Sequence, residues 1–116
     1  MEDYKFRVDF LDEANEFLDG LDEKARDKIF YNIWKARSTN DPELFKKLQD
    51  EIWEFRTKFK RTYYRLFAFW DKSDKMDTVV ISTHGLIKKV DKIPKSEILR
   101  AEKLRENYFN EKTNKK

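Results

Sequence analysis

Hydrophobic residues in the first half of the chain predict one strand followed by helices. In YKFRVDF, residues 4–10, every second residue is aromatic or aliphatic, as in a strand with one buried face. The spacing then becomes helical: LDEANEFLDGL breaks at Gly20, and Asp22 can cap a second helix, EKARDKIFYNIWKARS. The predicted core face of that helix consists of six residues: Ala25, Ile29, Phe30, Ile33, Trp34 and Ala36. TNDPELFKKL is then expected to turn at Asp41-Pro42 and to add one further helical turn.

From residue 51 the pattern predicts three consecutive strands and a last helix. EIWEFRTKF alternates apolar and polar residues, whereas YYRLFAFW is apolar on both sides except at Arg65. DKSDKMD is expected to be a loop, and TVVISTH a third strand that ends at His84-Gly85. IPKSEILRAEKLRENYF starts near Pro94 and is apolar at helical spacing. This order favours an α+β fold, in which helices pack on one side of an antiparallel sheet.

Composition excludes several kinds of site. A chain of 116 residues is expected to form one domain, residues 1–116, with a frayed tail over 111–116. It has no Cys, one His and two Gly, which excludes thiolate chemistry, a two-histidine metal site and a glycine-rich phosphate loop. We therefore expect neither metal nor cofactor. The N-terminus is unlike a secretory signal and no apolar run could span a bilayer, so a cytoplasmic protein without membrane partners is expected.

Charge is distributed unevenly along the chain. Residues 1–50 carry nine basic and thirteen acidic residues, a net charge of −4, and residues 51–116 carry seventeen and ten, a net charge of +7. The stretch RTKFKRTYYR holds five cations and no carboxylate. If EFRTK is extended, Glu54, Arg56 and Lys58 project from one face, which Arg65 on the next strand can reach. Cations on a rigid sheet suit phosphate or nucleic acid. The alternative is that Glu54 pairs with an arginine and the lysines only keep the surface soluble.

Three segments carry a resemblance to a known family. In order and spacing, IWEFR, YYRLFAFW and VVISTHGLIKKVDKIPKSEILRAEKLRENY resemble the RelE/ParE toxin superfamily, in particular its HigB-like, phage-derived branch, over about residues 45–108. The resemblance implies a small curved antiparallel sheet with an N-terminal strand, helices after it, three consecutive strands and a C-terminal helix. It also implies a toxin that cuts messenger RNA on the ribosome without metal. Its partner would be a cognate antitoxin, HigA-like and of helix-turn-helix type.

The resemblance assigns roles to individual residues. Arg65 matches the phosphate-binding arginine of the family, Arg56 the arginine of its Glu-x-Arg element, and Lys88 and Lys89 the basic residues after the last strand. Further RNA contacts are expected from four nearby cations: Lys58, Lys60, Arg61 and Lys92.

The proton-accepting group of such a nuclease has several candidates. Glu54 is the first, because a carboxylate among cations stays ionised, although it could serve only to orient Arg56 or Arg65. His84 is the second, and a lysine with a lowered pKa is the third. Two other functional classes fit the same pattern: a ParE-like inhibitor of DNA gyrase that cuts nothing, and an RNA- or ribosome-binding protein without catalysis.

Overall fold

The computed structural model describes residues 5–74, 78–89 and 92–114. Tyr4 of the predicted first strand, residues 75–77 of the predicted loop and residues 115–116 of the predicted tail lie outside these ranges. The described part of the chain forms five strands and three helices in this order: β1 (Arg7–Phe10), α1 (Asp12–Asp19), α2 (Glu23–Ala36), β2 (Phe45–Gln49), β3 (Ile52–Phe59), β4 (Thr62–Asp71), β5 (Val79–Lys88) and α3 (Lys95–Asn114).

The five strands form one sheet in the order β1-β5-β4-β3-β2. The predicted α+β class is confirmed, with its N-terminal strand, its three consecutive strands and its C-terminal helix. The sheet is mixed rather than wholly antiparallel, because β1 runs parallel to β5 while the other neighbours are antiparallel. The helical connection between β1 and β2 carries the chain from one edge of the sheet to the other. No helix of the described residues is long and apolar enough to cross a membrane.

The chain turns at Asp41-Pro42 as predicted, but it then enters strand β2, which the sequence analysis did not predict. The carbonyl of Asp41 accepts from the Leu44 and Phe45 amides at 3.0 and 3.1 Å, and its carboxylate accepts from the Glu43 amide at 2.9 Å. The turn therefore closes at once and releases an extended chain. Phe45 then stacks on Phe55 of β3, with ring centroids 4.3 Å apart. This contact between strands outweighs the local helical preference.

Helices cover both faces of the sheet, so the prediction of helices on one side was wrong. Helices α1 and α2 pack on the face that includes Leu66, Ala68 and Val80, and α3 packs on the face that includes Phe67 and Phe69. Strand β4 is apolar on both sides because it lies between these two layers.

Two aromatic residues assigned to the core by their spacing lie at the surface. Phe30 is 41% exposed and Trp34 42% exposed. Ile29 and Ile33 already fill the contact stripe of α2, and each following residue is rotated by about 100° around the helix axis, away from the sheet. The aromatic rings therefore widen the apolar surface of α2 without entering the core.

A β-bulge in β5 determines which side chains face α3. The register with β4 shifts between Leu66 and Ala68, and the hydroxyls of Ser82 and Thr83 both donate to the Phe67 carbonyl at 3.3 Å. The extra residue reverses the alternation along the strand. After the bulge, residues 84, 86 and 88 fall on the α3 face.

The C-terminal helix is anchored at the end of β4. Its described part is helical to Asn114, beyond the point where fraying was expected. Tyr108 Oη and Lys112 Nζ both donate to Asp71 Oδ2 at 2.6 Å. Burial alone would raise the pKa of the Asp71 carboxyl, but hydrogen bonds from Lys112 and Ser73 hold it well below its usual range. The buried Asp71 carboxylate therefore holds Tyr108 and Lys112 of α3 in place. The sequence alone gave no partner for either residue.

Candidate active site

A cationic cleft forms where β3 extends beyond β2. Strand β2 begins opposite Phe55, and the Arg56 amide donates to the Leu44 carbonyl at 2.8 Å, so residues 57–59 continue past β2. Between this end of β3, helix α2 and the 41–44 turn lies a cleft of about 490 Å³. Five cations and one carboxylate, Glu43, are among its lining residues; the cations are Lys28, Lys35, Arg56, Lys58 and Arg65. This balance favours an anionic ligand.

Two arginines of the cleft share one buried carboxylate. Arg56 and Arg65 are directly opposite in the β3–β4 register, so the pairing that the sequence analysis required for Arg65 to reach this face is present. Arg65 Nε lies 3.1 Å from Glu54 Oε1, and Arg56 Nε lies 4.0 Å from Glu54 Oε2. The Arg65 and Glu54 side chains are only 3% and 4% exposed, whereas Arg56 is 25% exposed. Of these three side chains, Arg56 therefore has the largest fraction accessible to a ligand.

The Arg65–Glu54 ion pair is close but poorly aligned as a hydrogen bond. Neither Arg65 Nε nor Glu54 Oε1 has an aligned partner, although the two atoms are 3.1 Å apart. Arg65 Nη1 donates instead to the Tyr64 carbonyl at 3.1 Å. Burial lowers the pKa of Arg65, and the charge of Glu54 opposes that shift. Glu54 thus supplies the countercharge that a buried guanidinium requires.

Four of the predicted cations lie at the β3–β4 hairpin end of the sheet: Lys58, Lys60, Arg61 and Lys88. Lys58 Nζ lies 5.4 Å from the centre of the Tyr63 ring, and Lys88 stands opposite Tyr63 on the far side of β4. The Lys60–Arg61 pair forms the two-residue turn itself, with φ of 49° and 67°. Lys89, next to Lys88, is exposed. Lys92 is exposed in the segment before α3, and no contact with the cleft is seen for it within the described ranges.

Helix α2 contributes cleft residues that the sequence analysis missed. Lys28, Asn32 and Lys35 line the cleft, and Asn32 Nδ2 donates to Thr57 Oγ1 at 3.2 Å in a buried contact. Their i, i+4, i+7 spacing places them on one side of the helix, next to the apolar stripe. The spacing alone could have shown that the three residues share one side of α2. That this side faces the cleft depends on the packing of α2 along the end of β3.

One comparison with known proteins identifies the family. The model of the family described as phage derived protein Gp49-like (DUF891) matches residues 16–106, well over half of the chain. The chain belongs to this family. Gp49-like proteins belong to the RelE-like group of toxins of type II toxin–antitoxin systems, which implies an antitoxin partner. No curated protein matches the chain significantly.

In this Gp49-like protein His84 lies away from the cleft. Its Nε2 is 3.0 Å from Glu97 Oε1 of α3, and its Nδ1 is 3.1 Å from Thr83 Oγ1. Burial lowers the pKa of His84, although the hydrogen bond with Glu97 opposes the shift. A neutral imidazole that carries its proton on Nε2 donates to the Glu97 carboxylate, which accepts. The ring therefore fastens the first turn of α3 to β5.

The acidic side chains of the described residues are too far apart to bind a metal ion together. Over the described ranges, no three side chains among His, Cys, Asp and Glu come close enough together to hold a metal ion. The buried acids are used within the fold: Glu54 faces arginines, and Asp71 accepts from Tyr108 and Lys112.

Proposed function

We propose that this protein is the toxin of a type II toxin–antitoxin system, of the HigB-like branch, and that it is a metal-independent endoribonuclease which cuts messenger RNA on the ribosome in the cytoplasm. The observation that carries the proposal is the cleft with five cations and one carboxylate at the open end of β3. An RNA backbone offers one negative charge per nucleotide to such a surface. The membership of the family and the fold are compatible with this activity.

The cleft suits cleavage by the RNA's own 2′-hydroxyl. In that reaction the 2′-oxygen forms a bond to phosphorus and the bond from phosphorus to the 5′-oxygen breaks. A general base accepts the proton of the attacking 2′-hydroxyl, and a general acid donates a proton to the leaving 5′-oxygen. Negative charge builds on the phosphate oxygens meanwhile, and fixed guanidinium groups stabilise it. Arg56 is the partly exposed guanidinium of the pair, so we assign it to the phosphate, with Lys58 and Lys88 assisting.

The buried pair supports this contact from behind. Arg65 and Glu54 are nearly inaccessible, and Glu54 faces both arginines. We therefore propose that Glu54 orients Arg56 and Arg65, the second of the two roles its position in the sequence allowed. Arg65 is among the residues that line the cleft, but its side chain is almost fully buried. It therefore contacts the phosphate directly only if the substrate reaches the deepest part of the cleft. His84 serves the fold in this proposal and takes no part in proton transfer.

One observation favours a second candidate, an RNA- or ribosome-binding protein that does not cut. Glu54, the first candidate for a base, is buried and engaged with arginines. A protein in which no other group accepts the proton would keep the cationic surface and lack the chemistry.

Single-turnover cleavage on programmed ribosomes tests the proposal. Arg56→Gln should reduce the rate by about 10²–10³, the usual effect of removing one donor to developing charge. Lys103→Gln, on the exposed side of α3, is the matched control and should cleave normally. Cleavage by Arg56→Gln at the wild-type rate would overturn the assignment of Arg56. Ribosome binding by the wild type without cleavage would identify the non-cutting candidate, and inhibition of gyrase supercoiling would identify the ParE-like class.

Arg65 needs a second readout because of its burial. Arg65→Ala and Arg65→Lys should both lose cleavage, since a lysine lacks the bidentate guanidinium. A thermal melt beside the assay separates two cases. A folded, inactive Arg65→Lys protein supports a role at the phosphate, and an unfolded one shows that Arg65 acts only through the fold.

A further inference from the structure

A second groove lies on the α1–α2 face of the sheet, on the other side of the 41–44 turn. It has a volume of about 350 Å³, and its floor is made of aromatic rings. Phe45 stacks on Trp53 at 4.9 Å between centroids, and Trp70 meets Phe6 edge-on at 5.1 Å and Trp53 at 5.6 Å. Rings that pack against one another in this way form a rigid apolar floor. The cationic cleft does not use any of these residues.

The rim of this aromatic groove is basic. Lys5, Lys46 and Lys47 line it together with a single carboxylate, Asp41. Lys47 stands opposite Trp53 in the β2–β3 register, beside the floor. An apolar floor with three lysines against one carboxylate is complementary to a ligand that combines an apolar side chain with negative charge.

One polar atom of the floor is unused. Trp70 Nε1 is buried and has no hydrogen-bond partner among the described residues. A buried donor left unpaired costs about 1–3 kcal/mol. A ligand carbonyl or carboxylate would remove that cost only if a shift of the indole ring first exposed this N–H, because the atom is inaccessible to solvent in the unbound protein.

Strand β2 borders the groove and is an edge of the sheet. Within the described part of the chain it pairs only with β3, so its outer backbone groups face away from the sheet. Such an edge can accept an added strand from a partner, which gains main-chain hydrogen bonds and places alternate side chains beside the sheet. Phe45 and Lys47 belong both to this strand and to the groove.

We propose that the aromatic groove and the edge of β2 together are a docking site for the antitoxin. The occupant is an extended acidic segment of that partner, which pairs with β2 and places an apolar side chain on the aromatic floor. The proposal rests on the proposed function for the existence of the partner. RNA is a poorer occupant, because its phosphates would meet lysines without an arginine among the lining residues and so would lack a bidentate partner.

A displayed library of random octapeptides, selected on the full-length protein, tests the docking site. Selected peptides should carry an apolar residue flanked by Asp or Glu, and their binding should slow amide hydrogen exchange in β2. The double variant Lys46→Glu/Lys47→Glu should bind them on the order of tenfold more weakly, because both charges repel the ligand. Lys103→Glu, at another exposed position but on α3, should bind normally.

Three results would overturn the docking site. They are a selection for basic peptides, unchanged affinity in the double variant, and protection from exchange away from β2, for example at the aromatic residues of α2. Displacement of the peptides by single-stranded RNA, but not by an acidic competitor, would assign the groove to RNA instead. Lys47 stands opposite Trp53 and does not line the cationic cleft, so messenger cleavage by the single variant Lys47→Glu should equal that of the wild type; Lys46 stands opposite Glu54 and is left unchanged in this control. A wild-type protein that cuts no messenger would refute the enzymatic proposal while leaving the peptide result standing.

Discussion

Replacing Glu54 with Gln removes the one carboxylate that faces two arginines. The change keeps the size of the side chain and one acceptor oxygen, but it removes the negative charge and replaces the other oxygen by an NH2 group, which cannot accept from an arginine. Arg65 is 3% exposed and would remain as a buried cation without a countercharge. Desolvation already lowers its pKa, and Glu54 is the group that opposes this. The variant should therefore be destabilised, and Arg56 should lose its orientation as well.

The size of the effect follows from the burial of the pair. Removing one partner of a buried ion pair costs about 3–5 kcal/mol, and Gln, which still accepts a hydrogen bond, should fall at the lower end, about 3 kcal/mol. For a domain of this size that corresponds to a fall in melting temperature of roughly 10–15 °C. Replacing both partners, in Glu54→Leu/Arg65→Leu, removes the buried cation together with its countercharge; only Arg56, which is 25% exposed, then lacks a carboxylate, so the change should cost much less than the single one.

Thermal and urea unfolding of the two variants beside the wild type provides the measurement. Lys103→Gln, which breaks an exposed pair with Glu106, controls for loss of charge and should change stability by less than about 1 kcal/mol. If Glu54→Gln melts within about 2 °C of the wild type, the Glu54–Arg65 contact does not stabilise the fold in the way that its burial indicates. A double variant less stable than Glu54→Gln would refute the same reasoning from the other side.

Three further predictions concern residues outside the buried pair. In Gly85→Ala the new Cβ would lie 2.4 Å from the Phe17 ring, so unfolding in urea should show a loss of about 1–3 kcal/mol, whereas Gly20→Ala, whose Cβ meets only backbone at 3.7 Å, should show none. Because burial lowers the pKa of His84 below 6.5, the unfolded chain takes up the proton first; stability should therefore fall as the pH drops below 6.5, and His84→Gln should flatten that dependence in a pH series of melts. The Lys60–Arg61 turn has positive φ at both residues, so Asn-Gly in its place should raise stability by about 1–2 kcal/mol and weaken salt-dependent ribosome binding; a variant that gains stability without losing binding would exclude this turn from the RNA surface.

The strands of the second half were predictable because their periodicity reports burial directly. Strand β3 alternates, and β4 is apolar on both sides, as a central strand covered by two layers must be. The same observation on β4 already implied helices on both faces. Expecting them on one side was an error of inference and not a lack of signal.

Other elements could not be read from local sequence. Strand β2 exists because Phe45 stacks on Phe55 and the Asp41 turn directs the chain back along β3, and both facts depend on contacts between segments. The bulge at Thr83 reverses the alternation of β5, so counting by two from Val79 assigns His84 to the wrong face. The local sequence pattern of a strand does not show which strand pairs with it or in which register.

The candidate site also combines residues that local patterns bring together with residues that only contacts between segments bring together. The sequence placed Glu54 and Arg56 on one face and allowed Arg65 to reach it if the two strands pair, and the β3–β4 register provides that pairing. The contribution of Lys28 and Lys35 was not predicted, because it depends on α2 crossing the end of β3. A helix that sequence analysis treats only as core can therefore supply one wall of a site.

The position of the cleft follows from the unequal lengths of the strands. Strand β2 begins opposite Phe55, while β3 and β4 continue to a hairpin at Lys60–Arg61, so the last residues of β3 lack a neighbour on one side. Elsewhere the layers formed by α1, α2 and α3 cover the sheet, and polar side chains there must pair within the protein, as Asp71 does with Lys112. At the projecting end, cations can remain charged and partly solvated while the strands hold them rigidly. A ligand with closely spaced negative charges gains most from cations that are fixed in this way, and for this reason the cleft, more than the overall net charge of +3, supports RNA as the substrate.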